Sequence, residues 1–167
     1  MFYERILREL GKSKIKYLVV GGLAVNLHGY DRITADLDII LLLKDSNLTK
    51  FVAIVKKLKL KPRLPVRIED FADVKKRRVW IQEKNMKAFA LYNPENETEH
   101  LDIVIDYAVD FDEAYKNKEV IKAGDLKIPV IAIPELVQMK KYAGRERDKI
   151  DIRALLRIER LNNGQKT

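Results

Sequence analysis

Asp36 and Asp38 stand two residues apart at the head of the apolar run Ile39 to Leu43. In an extended strand, residues i and i+2 leave the same face, so both carboxylates would project together. A run that apolar belongs to a buried strand rather than a solvent-facing edge. Two like charges at the start of such a strand need a counter-charge, and a divalent metal supplies one. Asp102 opens a second apolar strand, facing opposite to Leu101 and Ile103, and is the candidate third carboxylate. Asp106 shares its face but lies roughly 13 Å further along, at about 3.3 Å per residue, so only one of the two can serve the same site.

Three carboxylates could hold two Mg²⁺ ions about 3.5–4 Å apart, which bridge nucleotide phosphates, activate an attacking hydroxyl and stabilise a leaving pyrophosphate. The chain has no cysteine and two histidines, His28 and His100. A metal must then be held by oxygen, which points to Mg²⁺ or Mn²⁺. Gly21-Gly22 directly follow the apolar run Tyr17 to Val20. Glycine there lets backbone approach a phosphate, and the following helix presents free N–H groups and the positive end of its dipole.

The elements that must position these groups can be read in order. Residues 2 to 10 place Phe2, Ile6, Leu7 and Leu10 on one helical face, with Gly11 as the C-cap. A first strand is expected over Ile15–Val20, a short helix over Gly22–Gly29 and a second strand over Asp36–Leu43. Asp45-Ser46-Asn47 offers cap chemistry for a helix over Leu48–Leu58. Pro62 and Pro65 punctuate a connection to a helix over Glu69–Gln82 that carries Lys75 to Arg78. Met86–Tyr92 and Glu99–Tyr107 read as antiparallel strands. Phe111–Lys116 reads as a short helix, and Gly124-Asp125 marks a hairpin between Val120 and Ile133. Pro134 suits the first position of a helix to Tyr142, ended by Gly144. A last helix over Arg147–Leu161 should bury Ile150, Ala154, Leu155 and Ile158, with the final NNGQKT frayed.

At 167 residues the chain fits one domain, with a core over about 15–133 and a C-terminal helical part over about 134–161. The net charge of +8 favours polyanions such as nucleic acid or nucleotide phosphates, although a solvated Lys- and Glu-rich surface has the same composition. Neither a signal peptide nor a long uncharged apolar span occurs, so the expected location is the cytoplasm, with no membrane contact.

Gly21-Gly22, thirteen intervening residues and Asp36-Leu37-Asp38 resemble the signature of the DNA polymerase β-type nucleotidyltransferase superfamily. The fuller stretch VGGLAVNLHGYDRITADLDI is similar to the small prokaryotic nucleotidyltransferases related to the toxin of abortive-infection toxin–antitoxin pairs. LDIVIDYAVDFDEAY and IAIPELVQMKKYAGRERDKIDIRAL continue the likeness, which leaves about Pro62 to Asn85 unmatched. The resemblance implies an α+β fold, a mixed central sheet flanked by helices. It implies transfer of a nucleoside monophosphate from an NTP to a hydroxyl, with two Mg²⁺ or Mn²⁺ ions on Asp36, Asp38 and Asp102. Asp102 would also assist deprotonation of the acceptor. Gly21, Gly22, Arg32, Thr34 and Lys140 would contact the nucleotide. The implied acceptors are an RNA 3′ end such as tRNA, or a protein, and an antitoxin would be the partner.

Each residue also has a structural reading. Arg32 could pair with Asp31 or Asp36, and Arg145 with Asp148 as a link between two helices. His28 reads as a hydrogen-bonded structural residue, Lys75 to Arg78 as a solvated helix face, and Trp80 and Phe89 as core. The rival functional class is a module of the same fold that binds RNA or a protein without catalysis. Retention of all three acids weighs against it, because unpaired acids on one patch are costly without a metal.

Overall fold

The computed structural model describes residues 2–165; the side chain of Phe2, expected in the core, lies outside the described ones. The first helix, α1 (Phe2–Lys12), buries Ile6, Leu7 and Leu10 and runs through Gly11 instead of capping on it. Strand β1 (Tyr17–Val20) is buried at every residue and hands directly to α2 (Gly21–Leu27). Strand β2 (Leu37–Leu41) starts one residue later than expected, so Asp36 closes the preceding loop.

Helix α3 (Asp45–Lys57) has Lys44 at its N-cap with no side-chain cap. The stretch expected to cap, Asp45-Ser46-Asn47, lies inside the helix, and Asn47 turns inward. Its Nδ2 donates to the carbonyls of Lys16 and Leu42, and its Oδ1 accepts from the Lys16 N–H, satisfying backbone groups at the ends of two strands. The segment unmatched by the resemblance forms β3 (Lys61–Pro62), a 3-10 turn (Ile68–Ala72) and α4 (Val74–Lys84). The Asp73 carboxylate accepts from the N–H groups of Lys75 and Lys76, which sets the start of α4.

Strands β4 (Ala88–Asn93) and β5 (Asn96–Val104) are antiparallel, as expected. Then come α5 (Phe111–Asn117), the hairpin β6 (Glu119–Ala123) and β7 (Leu126–Val130), α6 (Ile133–Ala143) and α7 (Glu146–Gly164). Helix α7 passes through Asn162-Asn163-Gly164, the stretch expected to fray. No described helix is long and apolar enough to cross a membrane.

The strands form one sheet in the order β3-β4-β5-β2-β1-β7-β6, parallel at β1–β7 and β2–β5 and antiparallel elsewhere. This is the expected mixed sheet of an α+β fold. One face carries Leu37, Ile39, Leu101, Ile103 and Phe89, all buried. Phe71 of the 3-10 turn packs there, 4.9 Å from Phe89 and 5.8 Å from Phe51 of α3 between ring centroids. Each such ring contributes about 1.5–3 kcal/mol by burial, so this layer anchors the sheet. The opposite face holds the acids.

Candidate functional site

Sheet register builds the centre of the site. Asp38 pairs across β1 with Val20 and across β5 with Asp102. Residues in register on neighbouring strands share a face, so the Asp38 and Asp102 carboxyls lie side by side. Asp36 is exposed at the loop end, whereas Asp38 and Asp102 are half-buried.

Burial, then the charges of Asp102 and Asp36, pushes the Asp38 carboxyl up to about 7. A hydrogen bond from the Gly22 N–H and the charge of Arg145 pull the other way. The Asp102 carboxyl is also raised, by burial and then by Asp36, against the nearby His100 and Arg63. Among the described residues no three His, Asp or Glu side chains are gathered into a cage for a metal ion. Asp36, at the exposed end of the loop, is still near enough for its charge to raise both half-buried carboxyls.

The glycine pair is built around this carboxylate. Gly21 has φ +66, a left-handed conformation that favours glycine, and a β-carbon on it would fall 2.0 Å from Asp38 Oδ2. A β-carbon on Gly22 would fall 2.6 Å from Thr34 Oγ1 and 3.2 Å from Arg32 Cζ. The pair therefore admits Asp38 on one side and the Arg32–Thr34 loop on the other. One of its amides, that of Gly22, is already committed to Asp38.

That loop is pinned twice. Asn26 of α2 donates from Nδ2 to the Arg32 carbonyl at 2.8 Å and accepts the Arg32 N–H at 3.2 Å. The Arg32 guanidinium reaches neither Asp31 nor Asp36; its Nη1 donates to Asp151 of α7 at 2.5 Å. Lys140 of α6 is 4% exposed and donates to the same Asp151 oxygen at 2.7 Å. It also lies 3.4 Å from Asp148. One carboxylate thus draws together the two cations, Arg32 and Lys140, expected at the nucleotide.

Arg145 and Asp148 do pair, but not between helices. Arg145 is the N-cap of α7 and Asp148 its third residue, with Arg145 Nε 2.9 Å from Asp148 Oδ2. It is Lys140 that ties Asp148 to α6. This network also explains the α7 register. The buried face runs through Asp148, Asp151 and Leu155, while Ile150, expected inside, is 48% exposed.

A cleft of about 640 Å³ extends from the acids along β5, between the sheet and α6. Asp38 and Asp102 stand at one end, and Ala88, Val104, Leu136 and Met139 line its middle. Its far end is closed by Asp106, which accepts from Tyr142 Oη at 2.8 Å and from Lys87 Nζ. The Lys87 ammonium, the largest influence on it, holds the Asp106 carboxyl below its ordinary value. Of the two candidate third acids, Asp102 is the one against Asp38, and Asp106 belongs to the cleft wall.

Other candidates serve the fold. His28 Nε2 lies 2.7 Å from the Ile131 carbonyl, joining α2 to the end of β7. Trp80 stacks on buried Phe89 with centroids 5.3 Å apart. Arg77, expected on a solvated face, is buried and donates to the Phe71 carbonyl at 2.6 Å. Sequence reasoning missed Asn26 and Asp151. The available signal was Asp148 and Asp151 at i, i+3 on a helix, an acidic stripe where an apolar one would be ordinary.

No protein-family model and no curated protein matches the sequence. Solved structures do. The lincosamide antibiotic adenylyltransferase LnuA, lincomycin-bound, is 20% identical with a TM-score of 0.60, over 94% of this chain and 96% of that one. The antibiotic-resistance factor ANT(2'')-Ia is 13% identical with a TM-score of 0.60, over 99% of this chain and 89% of that one. A protein of Thermotoga maritima described as a candidate nucleotidyltransferase is 16% identical with a TM-score of 0.57, over 93% and 90%. The chain has the fold of these nucleotidyltransferases.

Proposed function

We propose that the chain is a nucleotidyltransferase that moves a nucleoside monophosphate from an NTP to an acceptor hydroxyl. The observation that carries this is the in-register pair Asp38 and Asp102 beside the Gly21-Gly22 turn. The fold, shared with nucleotidyltransferases, is consistent with it.

The donor set fits a hard divalent cation. It is all oxygen, and the Asp38 carboxyl is pushed up to about 7 because burial and two like charges act on it with little cationic relief. Asp36, Asp38 and Asp102 would hold Mg²⁺ or Mn²⁺, which when bound supplies charge neutralisation for the triphosphate and the departing pyrophosphate.

The chain's own groups do the rest. Lys140 and Arg32 neutralise the phosphates, released in part from Asp151 by the incoming negative charge. Gly22 and Thr34 keep the backbone close enough for that contact. Asp102 accepts the proton of the acceptor hydroxyl as its oxygen bonds to the α-phosphorus and the bond to pyrophosphate breaks. The apolar cleft along Val104 and Met139 keeps water from the α-phosphorus.

The test is incubation with each α-labelled NTP, Mg²⁺ or Mn²⁺, and separate RNA, protein and small-molecule fractions. Label should enter one fraction with the wild type and be lost with Asp38→Asn. No label in any fraction with any NTP would end this reading.

A further inference from the structure

On the acid-bearing face, the part beyond Asp102 toward β3 is half-buried at Ala90, Tyr92 and His100 and exposed at the β3 edge. Leu91 and Leu101 are buried on the core side, so Ala90, Tyr92, His100 and Asp102 face the other way with Asp38. The pairing of Pro62 with Leu91 and the bond from the Arg63 N–H to the Ala90 carbonyl place Arg63 beside Ala90 on this face, and Lys61 beside Tyr92. Arg63 and Asp102 are then separated by one alanine, across two strand spacings of about 4.8 Å each.

The side chains on this edge are organised. The Arg63 guanidinium lies over the Tyr92 ring, 5.5 Å from its centroid, and its Nη2 is 2.7 Å from His100 Nδ1. Arg63 and Lys61 are exposed, and among the described residues the side-chain partner of Arg63 is His100 rather than a carboxylate. Lys61 also lines a groove of about 390 Å³ with Arg5, Lys57 and Lys59. Glu95 is the acid in that groove, and Lys57 is paired with Glu9. Cations therefore continue outward from Asp102 along the sheet edge.

We propose that this edge docks the single-stranded 3′ end of an RNA acceptor, with a base stacked on the Arg63 plane backed by Tyr92, and phosphates held by Lys61 and the Lys59 groove. The inference rests on the nucleotidyl-transfer reading and assigns its acceptor surface. Unpaired bases stack on aromatic rings and guanidinium planes, and every base offers a π-face. An open edge lets a strand run on past the site, which the cleft beyond Asp102, walled at its far end by Asp106, Tyr142 and Lys87, does not. That cleft is mostly apolar, and its Lys87 is engaged by Asp106, so it suits the nucleoside of the NTP rather than a polyanion. The charge of +8 agrees with a polyanionic partner.

The test is fluorescence anisotropy of the full chain with a labelled single-stranded RNA of about twelve nucleotides and a free 3′ hydroxyl, without NTP. Arg63→Ala should weaken binding about tenfold or more. Arg63→Lys, which keeps the charge and loses the plane, should restore only a minor part. Lys61→Ala and Lys59→Ala should each lower the slope of log K against log salt by about 0.7. A duplex of the same sequence should compete weakly, and the thermal shift produced by NTP should keep its size in Arg63→Ala.

Wild-type affinity in these variants, or no RNA binding at low salt, overturns the proposal. So does loss of the NTP shift in Arg63→Ala with RNA binding intact, which would make the platform the site of the NTP base. If RNA binds through these residues but no label is transferred, the surface stands and the nucleotidyl-transfer reading fails. If label enters protein while RNA binding ignores these residues, the reverse holds.

Discussion

The Asp38 carboxylate lies over Gly21 so closely that a β-carbon there would stand 2.0 Å from Oδ2, 2.6 Å from Cγ and 2.7 Å from Cβ. Three side-chain atoms in that range cannot be cleared by turning the carboxyl alone. Gly21→Ala must displace Asp38 and strain a backbone at φ +66. Misplacing a reacting group by about 1 Å can cost about a hundredfold in rate. We expect Gly21→Ala to lose at least that much transfer activity while its circular dichroism stays native; activity within a few-fold of wild type would contradict the close approach.

The Asp38 carboxyl also predicts a pH dependence of stability without divalent ions. Its folded value of about 7 lies above the ordinary 3.8, so between those values the folded chain binds more protons than the unfolded one. Stability should fall as pH rises from about 4 to about 7 and level off above. Asp38→Asn should remove this component and melt higher at pH 8, by roughly 2–4 °C for each kcal/mol relieved. Melting curves in chelator across that range decide it, and parallel curves for the two proteins would refute it.

Lys140 gives a prediction that separates structure from phosphate contact. Removing one partner of a buried ion pair costs about 3–5 kcal/mol, because a buried charge is left uncompensated. Lys140→Met should therefore lower the melting temperature markedly, leaving Asp151 to Arg32 alone. Adding Asp151→Asn should restore much of the stability and none of the transfer activity. A double variant that is both stable and active would show Lys140 to be structural only.

Arg77 and its neighbours should differ sharply. The Arg77 guanidinium satisfies the Phe71 carbonyl and lies over the Phe71 ring, 5.8 Å from its centroid. Arg77→Ala leaves a buried carbonyl unpaired, at about 1–3 kcal/mol. Lys75→Ala, on the exposed side of α4, should stay within about 0.5 kcal/mol. Chemical denaturation of the two variants checks this, and equal midpoints would contradict the buried role.

These particulars show what was legible in the sequence. Apolar runs and glycines located β1, α2, β2 and the β6–β7 hairpin within a few residues, because period and turn chemistry are local. The partnership of Asp38 with Asp102 was anticipated from two similar strand starts, although only the parallel β2–β5 register excludes Asp106 from that place. The role of Asp151 was not legible. It depends on α6, α7 and the Arg32 loop meeting, contacts 11 and 119 residues apart in the chain. Arg77 misled for a related reason: a run of four cations reads as a solvated face until the packing of Phe71 turns one of them inward.

Transfer of α-labelled NTP to its acceptor fraction, compared among the wild type, Asp38→Asn, Asp102→Asn and Asp106→Asn, tests the central claim most directly. Loss of a group stabilising charge at the reacting centre costs about 10²–10³ in rate, so Asp38→Asn and Asp102→Asn should each fall at least a hundredfold. Asp106→Asn, at the far wall of the cleft, should stay within about tenfold of wild type. Wild-type transfer by Asp38→Asn and Asp102→Asn would contradict the account.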